Sequence, residues 1–285
     1  MRRLSQVGLV VEGNSTNSSI LRLPTLAQDL GPVKSAALRV ARRQSNILRA
    51  GYAVADYEEL QAAHLVLIRV PDNSVGRVVK EVSNSDLVFK SLSFVLCETW
   101  LSADVLDPLK DRGASTATVI AVPGLRQDWF VVEGQTAAAR QIRRLLERND
   151  VRTSELRPGC KHLLFAAQLL TSVLPIMLFS AAQHAMRAAG ISGKNLALVL
   201  DVMAQKMLKD SLKGSARVHW AGPLNDCTKL TAQDYLEKLR RTHPDISEIV
   251  DDILAAAQRR MPAPRLLKQP ISDQQAVSSA VPGKG

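Results

Sequence analysis

Cysteine, aromatic residues and clustered charge are all scarce in this chain. Cys97, Cys160 and Cys227 are its three cysteines, widely separated and without any Cys-x-x-Cys spacing. Zinc and disulfide scaffolds depend on such pairs, so both are set aside and buried thiols are expected. His162, His184 and His219 also lack metal-ligand spacing, and no metal is expected. Phe, Trp and Tyr make up 4% of the residues, too few for a platform that stacks single-stranded bases. The formal charge of +10 is dispersed in ones and twos, as at Arg42-Arg43, Arg143-Arg144 and Arg240-Arg241. Without a basic block, these charges read as solvated helix faces, and nucleic acid is not an expected partner. The longest apolar stretch, Leu163 to Ala182, is interrupted by Gln168, Thr171, Ser172, Pro175 and Ser180. It is expected as a buried core helix, with no stretch suited to span a bilayer. Met1-Arg2-Arg3 is basic, but no signal-peptide core follows, so a cytoplasmic location is expected.

A length of 285 residues accommodates two domains, and the pattern changes near Pro158. Before it, short Val/Ile/Leu-rich runs alternate with helical stretches. Strands are expected at Val7–Val11, Ala36–Val40, Leu65–Val70, Ser93–Leu96, Ala117–Val122 and Trp129–Val132. Helices are expected around 18–30, 44–50, 56–63, 74–83, 102–112 and 135–148. Such alternation predicts an α/β fold with a doubly wound, mostly parallel sheet over residues 1–157. After it, helical stretches at 159–189, 193–213, 231–241 and 246–260 predict an all-α domain over 158–261. Residues 262–285 are rich in Pro, Ser, Gln and Gly and are expected to be disordered. Pro24 complicates the first helix. Either the helix kinks there, or Pro24 lies in its first turn and residues 12–22 form an extended loop.

Three segments carry candidate chemistry. The run Val7-Gly8-Leu9-Val10-Val11-Glu12-Gly13-Asn14-Ser15-Thr16 resembles the start of a dinucleotide-binding βαβ unit, with two of its three glycines missing. Gly13 stands where the backbone must approach a pyrophosphate. Asn14, Ser15 and Thr16 offer polar groups to a phosphate, whereas Glu12 opposes one unless its side chain points away. A strand–turn–helix that binds nothing is the competing reading. The second expected strand ends in Arg42, Arg43 and Ser45, with no acidic residue to hold a ribose 2′-hydroxyl. Guanidinium groups suit a 2′-phosphate, so NADP(H) is the expected nicotinamide cofactor. The third segment, Leu65 to Asp72, is an apolar strand ending in Val70-Pro71-Asp72, and Pro71 fixes the turn at the crevice edge. Arg69, inside that strand, needs a partner or an edge.

In this order, and followed by an all-α domain, these segments resemble Rossmann-like proteins related to pyrroline-5-carboxylate reductase and ketopantoate reductase. Ala103–Leu109, Arg112-Gly113-Ala114, Val131–Gly134 and the Gly222-Pro223 turn extend the resemblance over most of the chain. It implies hydride transfer to a small C=N or C=O substrate and a homodimer formed through the helical domain. Lys161, in Gly159-Cys160-Lys161-His162, is the nearest match to a proton-donating lysine of the wider superfamily. Three departures stand out. Val95–Trp100 lacks a His-Thr-Ser-Gly-like run, Pro123 lacks a preceding histidine, and Leu163-Leu164-Phe165 lacks the usual asparagine. A non-catalytic binding or scaffold protein is therefore the alternative.

Overall fold

Val7–Val11 is wholly buried and forms β1, the strand around which the sheet is arranged. A computed structural model describes residues 7–13, 18–122, 129–213 and 229–260. The expected roles of Asn14, Ser15, Thr16, Pro123 and the Gly222-Pro223 turn, and the expected disorder of 262–285, lie outside these residues. The chain divides into two compact units, Met1–Ala167 and Gln168–Gly285.

In the first unit, β1 is followed by α1 (Leu26–Asp29), β2 (Leu30–Lys34), α2 (Leu38–Leu48) and the short β3 (Tyr52–Ala53). A 3₁₀ turn (Tyr57–Ala62) leads to β4 (Leu65–Arg69), α3 (Asp72–Ser83) and β5 (Ser93–Cys97). Then come α4 (Asp107–Asp111), β6 (Ser115–Val122), β7 (Trp129–Gly134), α5 (Thr136–Glu147) and β8 (Arg152–Glu155). The strands make one sheet in the order β3-β2-β1-β4-β5-β6-β7-β8. Neighbours run parallel except for β6 and β7. The predicted doubly wound, mostly parallel sheet is what forms.

The near-continuous apolar strands reflect burial on both faces. Leu9, Val11, Leu67 and Val95 pack on one face with Ile142, Leu145 and Leu146 of α5. Val10, Ile68, Phe94 and Leu96 pack on the other with Val75, Val78 and Val82 of α3 and Leu109 of α4.

Four elements correct the sequence reading: β3 and β8 had no expected counterpart, and β2 and the first helix fall elsewhere. The second strand is Leu30–Lys34 rather than Ala36–Val40, because Leu38-Arg39-Val40 opens helix α2. Gly31 and Pro32 weaken the strand signal, yet all five residues of β2 are buried. Gly51, at φ 70°, lets the α2–β3 turn approach closely, since a Cβ there would lie 2.5 Å from the Gly31 carbonyl oxygen. Of the helix expected around 18–30 only Leu26–Asp29 forms, nearer the alternative in which Pro24 lies in its first turn. Turns carry Ile20, Leu21 and Leu23 into the core, and α1 begins only after Pro24.

The second unit contains most of a long helical run. α6 (Lys161–Gln168) continues through a π segment (Leu169–Val173) into α7 (Leu174–Ala188). Ser172 Oγ donates to the Gln168 carbonyl oxygen within the π segment. Next come α8 (Gly193–Lys213), α9 (Lys229–Thr242) and α10 (Pro244–Arg260). Here the expectation of a buried core helix over Leu163–Ala182 fails. Lys161–Ala188 is long and apolar enough to cross a membrane by length and composition alone, and none of its most apolar window is buried. Among the described residues from 168 onward, only Leu196, Ile246 and Ser247 are buried.

Candidate active site

In open parallel sheets, ligands bind beyond the carboxyl ends of the strands, where the strand order reverses. That reversal falls between β1 and β4. The two strand ends are joined there by Glu12 N–H donating to the Arg69 carbonyl oxygen at 3.1 Å. Gly13 follows at φ 72°, and a Cβ on it would lie 3.2 Å from Pro71 Cγ. The Gly13 loop and the Val70-Pro71-Asp72 turn are thus brought together. Gln44 joins them from α2, its Nε2 donating to the Gly13 carbonyl oxygen at 3.4 Å.

The orientation of Glu12 bears on the anion site. Both of its carboxylate oxygens accept from Arg77 Nη2, at 2.7 and 2.6 Å. Arg77 also donates to Glu81, one turn later on α3. These partners raise the guanidinium's proton affinity further above its ordinary value. Glu12 is therefore balanced by a cation on α3.

Arg42 and Arg43 do not terminate a strand. They are exposed in the second turn of α2, while Ser45 is buried on its inner side. The residues at the end of β2 are Lys34 and Ser35. Lys34 Nζ donates to the Ser35 carbonyl oxygen and lies 4.7 Å from the Tyr57 ring centroid. Ser35 Oγ donates to the Val11 carbonyl oxygen. The one-element shift of β2 accounts for the displaced arginines.

Sequence reading missed the group that answers Arg69. Glu98, one residue beyond β5, accepts from Arg69 Nε at 2.8 Å and from the Ile20 N–H at 3.0 Å. The signal in the sequence was Arg69 alone, without anything to name its partner. A lone arginine ending an apolar strand calls for a carboxylate at the end of a neighbouring strand.

Lys161 is buried, and its Nζ donates to Thr118 Oγ1 at 2.7 Å and to the carbonyl oxygens of Leu101 at 2.7 Å and Thr99 at 3.3 Å. Burial lowers its pKa to about 8, against the opposing pull of Glu133 and Asp72. Thr99 Oγ1 in turn donates to Asp72 Oδ1 and accepts from the Leu101 N–H. Trp100 packs edge-on against Phe165 of α6, with ring centroids 5.2 Å apart. Lys161, Asp72 and Phe165 therefore hold the loop after β5 from several sides. Glu133, on β7, is fully buried and accepts from the Gly159 N–H at 2.7 Å. Burial pushes the Cys97 thiol up, in keeping with a packed and unreactive cysteine.

No protein-family model and no curated protein matches the sequence. Solved structures do resemble it. An imine reductase from Aspergillus terreus, in complex with NADPH4 and dibenz[c,e]azepine, superposes with a TM-score of 0.64 at 12% identity, covering 90% of this chain and 93% of that one. An imine reductase from Myxococcus stipitatus, in complex with NADP+, gives 0.60 at 13% identity, covering 89% and 94%. The imine reductase of Streptomyces aurantiacus gives 0.61 at 16% identity, covering 89% and 94%. At these identities the likeness establishes the fold: a Rossmann-like sheet followed by a helical C-terminal region.

Proposed function

We propose that this protein is an NADP(H)-binding, oxidoreductase-like enzyme acting on a small C=N or C=O substrate. The observation that carries this reading is the meeting of Gly13 and Pro71 at the strand-order reversal, with Glu12 balanced by Arg77. Gly13, Val70 and Pro71 would line the dinucleotide, with Asn14, Ser15 and Thr16 near its phosphates. Lys34 at the end of β2, with Arg42 and Arg43 exposed on α2, would supply the cations on which a 2′-phosphate depends. The solved relatives that bind NADP+ and NADPH support the cofactor class. When bound, NADPH supplies a hydride. The chain's part is to orient cofactor and substrate and to deliver a proton. Lys161, the expected donor, must release one of its three acceptors before it can do so.

The exposed apolar side chains of the helical unit support a homodimer, and we keep a cytoplasmic location as part of the proposal. Leu174, Ile176, Met177 and Phe179 of α7 and Leu198, Val202 and Met203 of α8 are exposed within the single chain. An apolar surface of this extent marks an interface.

A second reading, a non-catalytic binding or scaffold protein, is favoured by the late start of the first helix among the described residues. A dinucleotide site aims a helix N-terminus at the pyrophosphate, and here the four-residue α1 begins only at Leu26. Titrating NADPH while following its fluorescence separates the two readings. Saturable binding at micromolar cofactor is expected, and no binding at millimolar cofactor leaves the scaffold reading.

A further inference from the structure

The end of β5 adopts a backbone conformation that glutamate rarely takes. Glu98 has φ 55°, in the left-handed region, where its Cβ crowds the following carbonyl oxygen. Its N–H remains in the sheet pattern, donating to the Val119 carbonyl oxygen at 2.7 Å. The twist places the carboxylate between two donors from different elements. Oε2 accepts from Arg69 Nε and Oε1 from the Ile20 N–H. Strained residues of this kind cluster at ligand clamps, held there by their surroundings.

A guanidinium and an oriented peptide N–H form a donor set that proteins use for carboxylates and phosphates. Packing gives no reason for a charge at Arg69, since Leu65–Ile68 are all buried and apolar. The neighbouring β1 loop, meanwhile, keeps one of the three glycines, and among the described residues no helix follows it before Leu26. Glu12, the other carboxylate at this edge, is engaged by Arg77 rather than Arg69.

We propose that Arg69 and the Ile20 N–H form an anion site, suited to a carboxylate or phosphate group of a ligand, and that Glu98 fills it as an internal stand-in. An incoming anion takes both donors and displaces the Glu98 carboxylate to solvent. Because Ile20 belongs to the turns that replace the first helix, occupation of the site also loosens that segment from β5. A dinucleotide phosphate and a substrate carboxylate share this chemistry, so the site stands independently of the cofactor reading.

The test uses the full chain and two probes, inorganic pyrophosphate and pyruvate, with binding read by calorimetry. Glu98→Gly removes the competitor and suits the left-handed backbone. It is expected to tighten binding of one probe about tenfold, as loss of an intramolecular competitor should. A pyrophosphate response assigns the site to phosphate, and a pyruvate response assigns it to carboxylate. Adding Arg69→Met to Glu98→Gly is expected to abolish the gain. Should Glu98→Gly fail to fold, Glu98→Gln decides, with a severalfold gain expected. The proposal is overturned if the folded Glu98 variants bind both probes no tighter than the unaltered protein, or if the gain survives Arg69→Met. Failure of the unaltered protein to bind NADPH, together with a gain in Glu98→Gly, would sink the cofactor reading and leave this site standing.

Discussion

The two units of the chain use their apolar residues in opposite ways. In the first, valine, leucine and isoleucine fill both faces of the sheet, and Phe94 is wholly buried. In the second, residues of the same kind lie exposed along α7 and α8. Similar composition therefore yields a self-sufficient core in one unit and an unfinished one in the other. The difference lies in periodicity and connection. Strands five residues long, covered by crossover helices, enclose their own apolar groups, whereas long helices such as α8, apolar on more than one side, need further neighbours.

Truncating Phe94 to alanine should break the first unit most severely, at roughly 3–5 kcal/mol by urea unfolding. The matched change at the exposed Phe179 of α7 should cost the isolated chain under about 1 kcal/mol. Equal losses would contradict the contrast between the units. Placing a charge at the exposed Ile176 should instead act on association. Ile176→Asp is expected to weaken self-association by about 2 kcal/mol or more in sedimentation, with folding of the sheet unit unchanged. If the unaltered chain sediments as a monomer at high concentration, the exposed helices have another partner.

The sheet was readable because its signal is local and redundant. Val7–Val11 falls where predicted, and β4 through β7 lie within two residues of their expected limits. β2 was misplaced because Gly31 and Pro32 weaken a strand whose burial comes from its neighbours, while Leu38-Arg39-Val40 mimics one. That error placed Arg42 and Arg43 at the strand end, where Lys34 and Ser35 stand. At the site itself, Gly13 and Val70-Pro71 were legible as turn chemistry. The Arg69–Glu98 pair was not, because its partners are 29 positions apart and Glu98 reaches Arg69 through a left-handed backbone. Nor was the engagement of Lys161, which depends on acceptors supplied by β6 and the loop after β5.

Lys161 makes a sharper probe of the dry interior of the first unit. Its pKa falls from 10.5 to about 8 because burial disfavours the ammonium. The native protein therefore releases this proton before the unfolded chain does. Between those two values the unfolded chain binds more protons, so stability rises with pH, and below pH 8 the cost of the buried charge is fully present. The unaltered protein should gain on the order of 2 kcal/mol relative to Lys161→Met between pH 7.5 and 10. Subtracting the variant's pH profile isolates the slope from its constant loss of three hydrogen bonds. A flat difference would mean that water reaches the amine.

The smallest effect tests the segment that replaces the first helix. Between Ser18 and Asp29 the chain has few backbone bonds of its own and relies on side-chain anchors to the residues just after α5. The Thr25 N–H donates to Asn149 Oδ1 at 2.9 Å, and Asn149 Nδ2 donates to Thr25 Oγ1 at 2.7 Å. Arg148 pairs with Asp29 just beyond. Asn149→Ala removes the paired bonds at a cost of about 1 kcal/mol. Since Ile20, Leu21, Leu23 and Leu26 remain buried, the loss should be local, with amide exchange accelerating over residues 18–29 and the sheet strands unchanged. Exchange accelerating equally across β1 and β4 would mean that this segment and the sheet open together. The anion site at Arg69 and Ile20 could not then yield without the sheet, and the contrast would lie between whole units rather than between a sheet and one replaceable crossover.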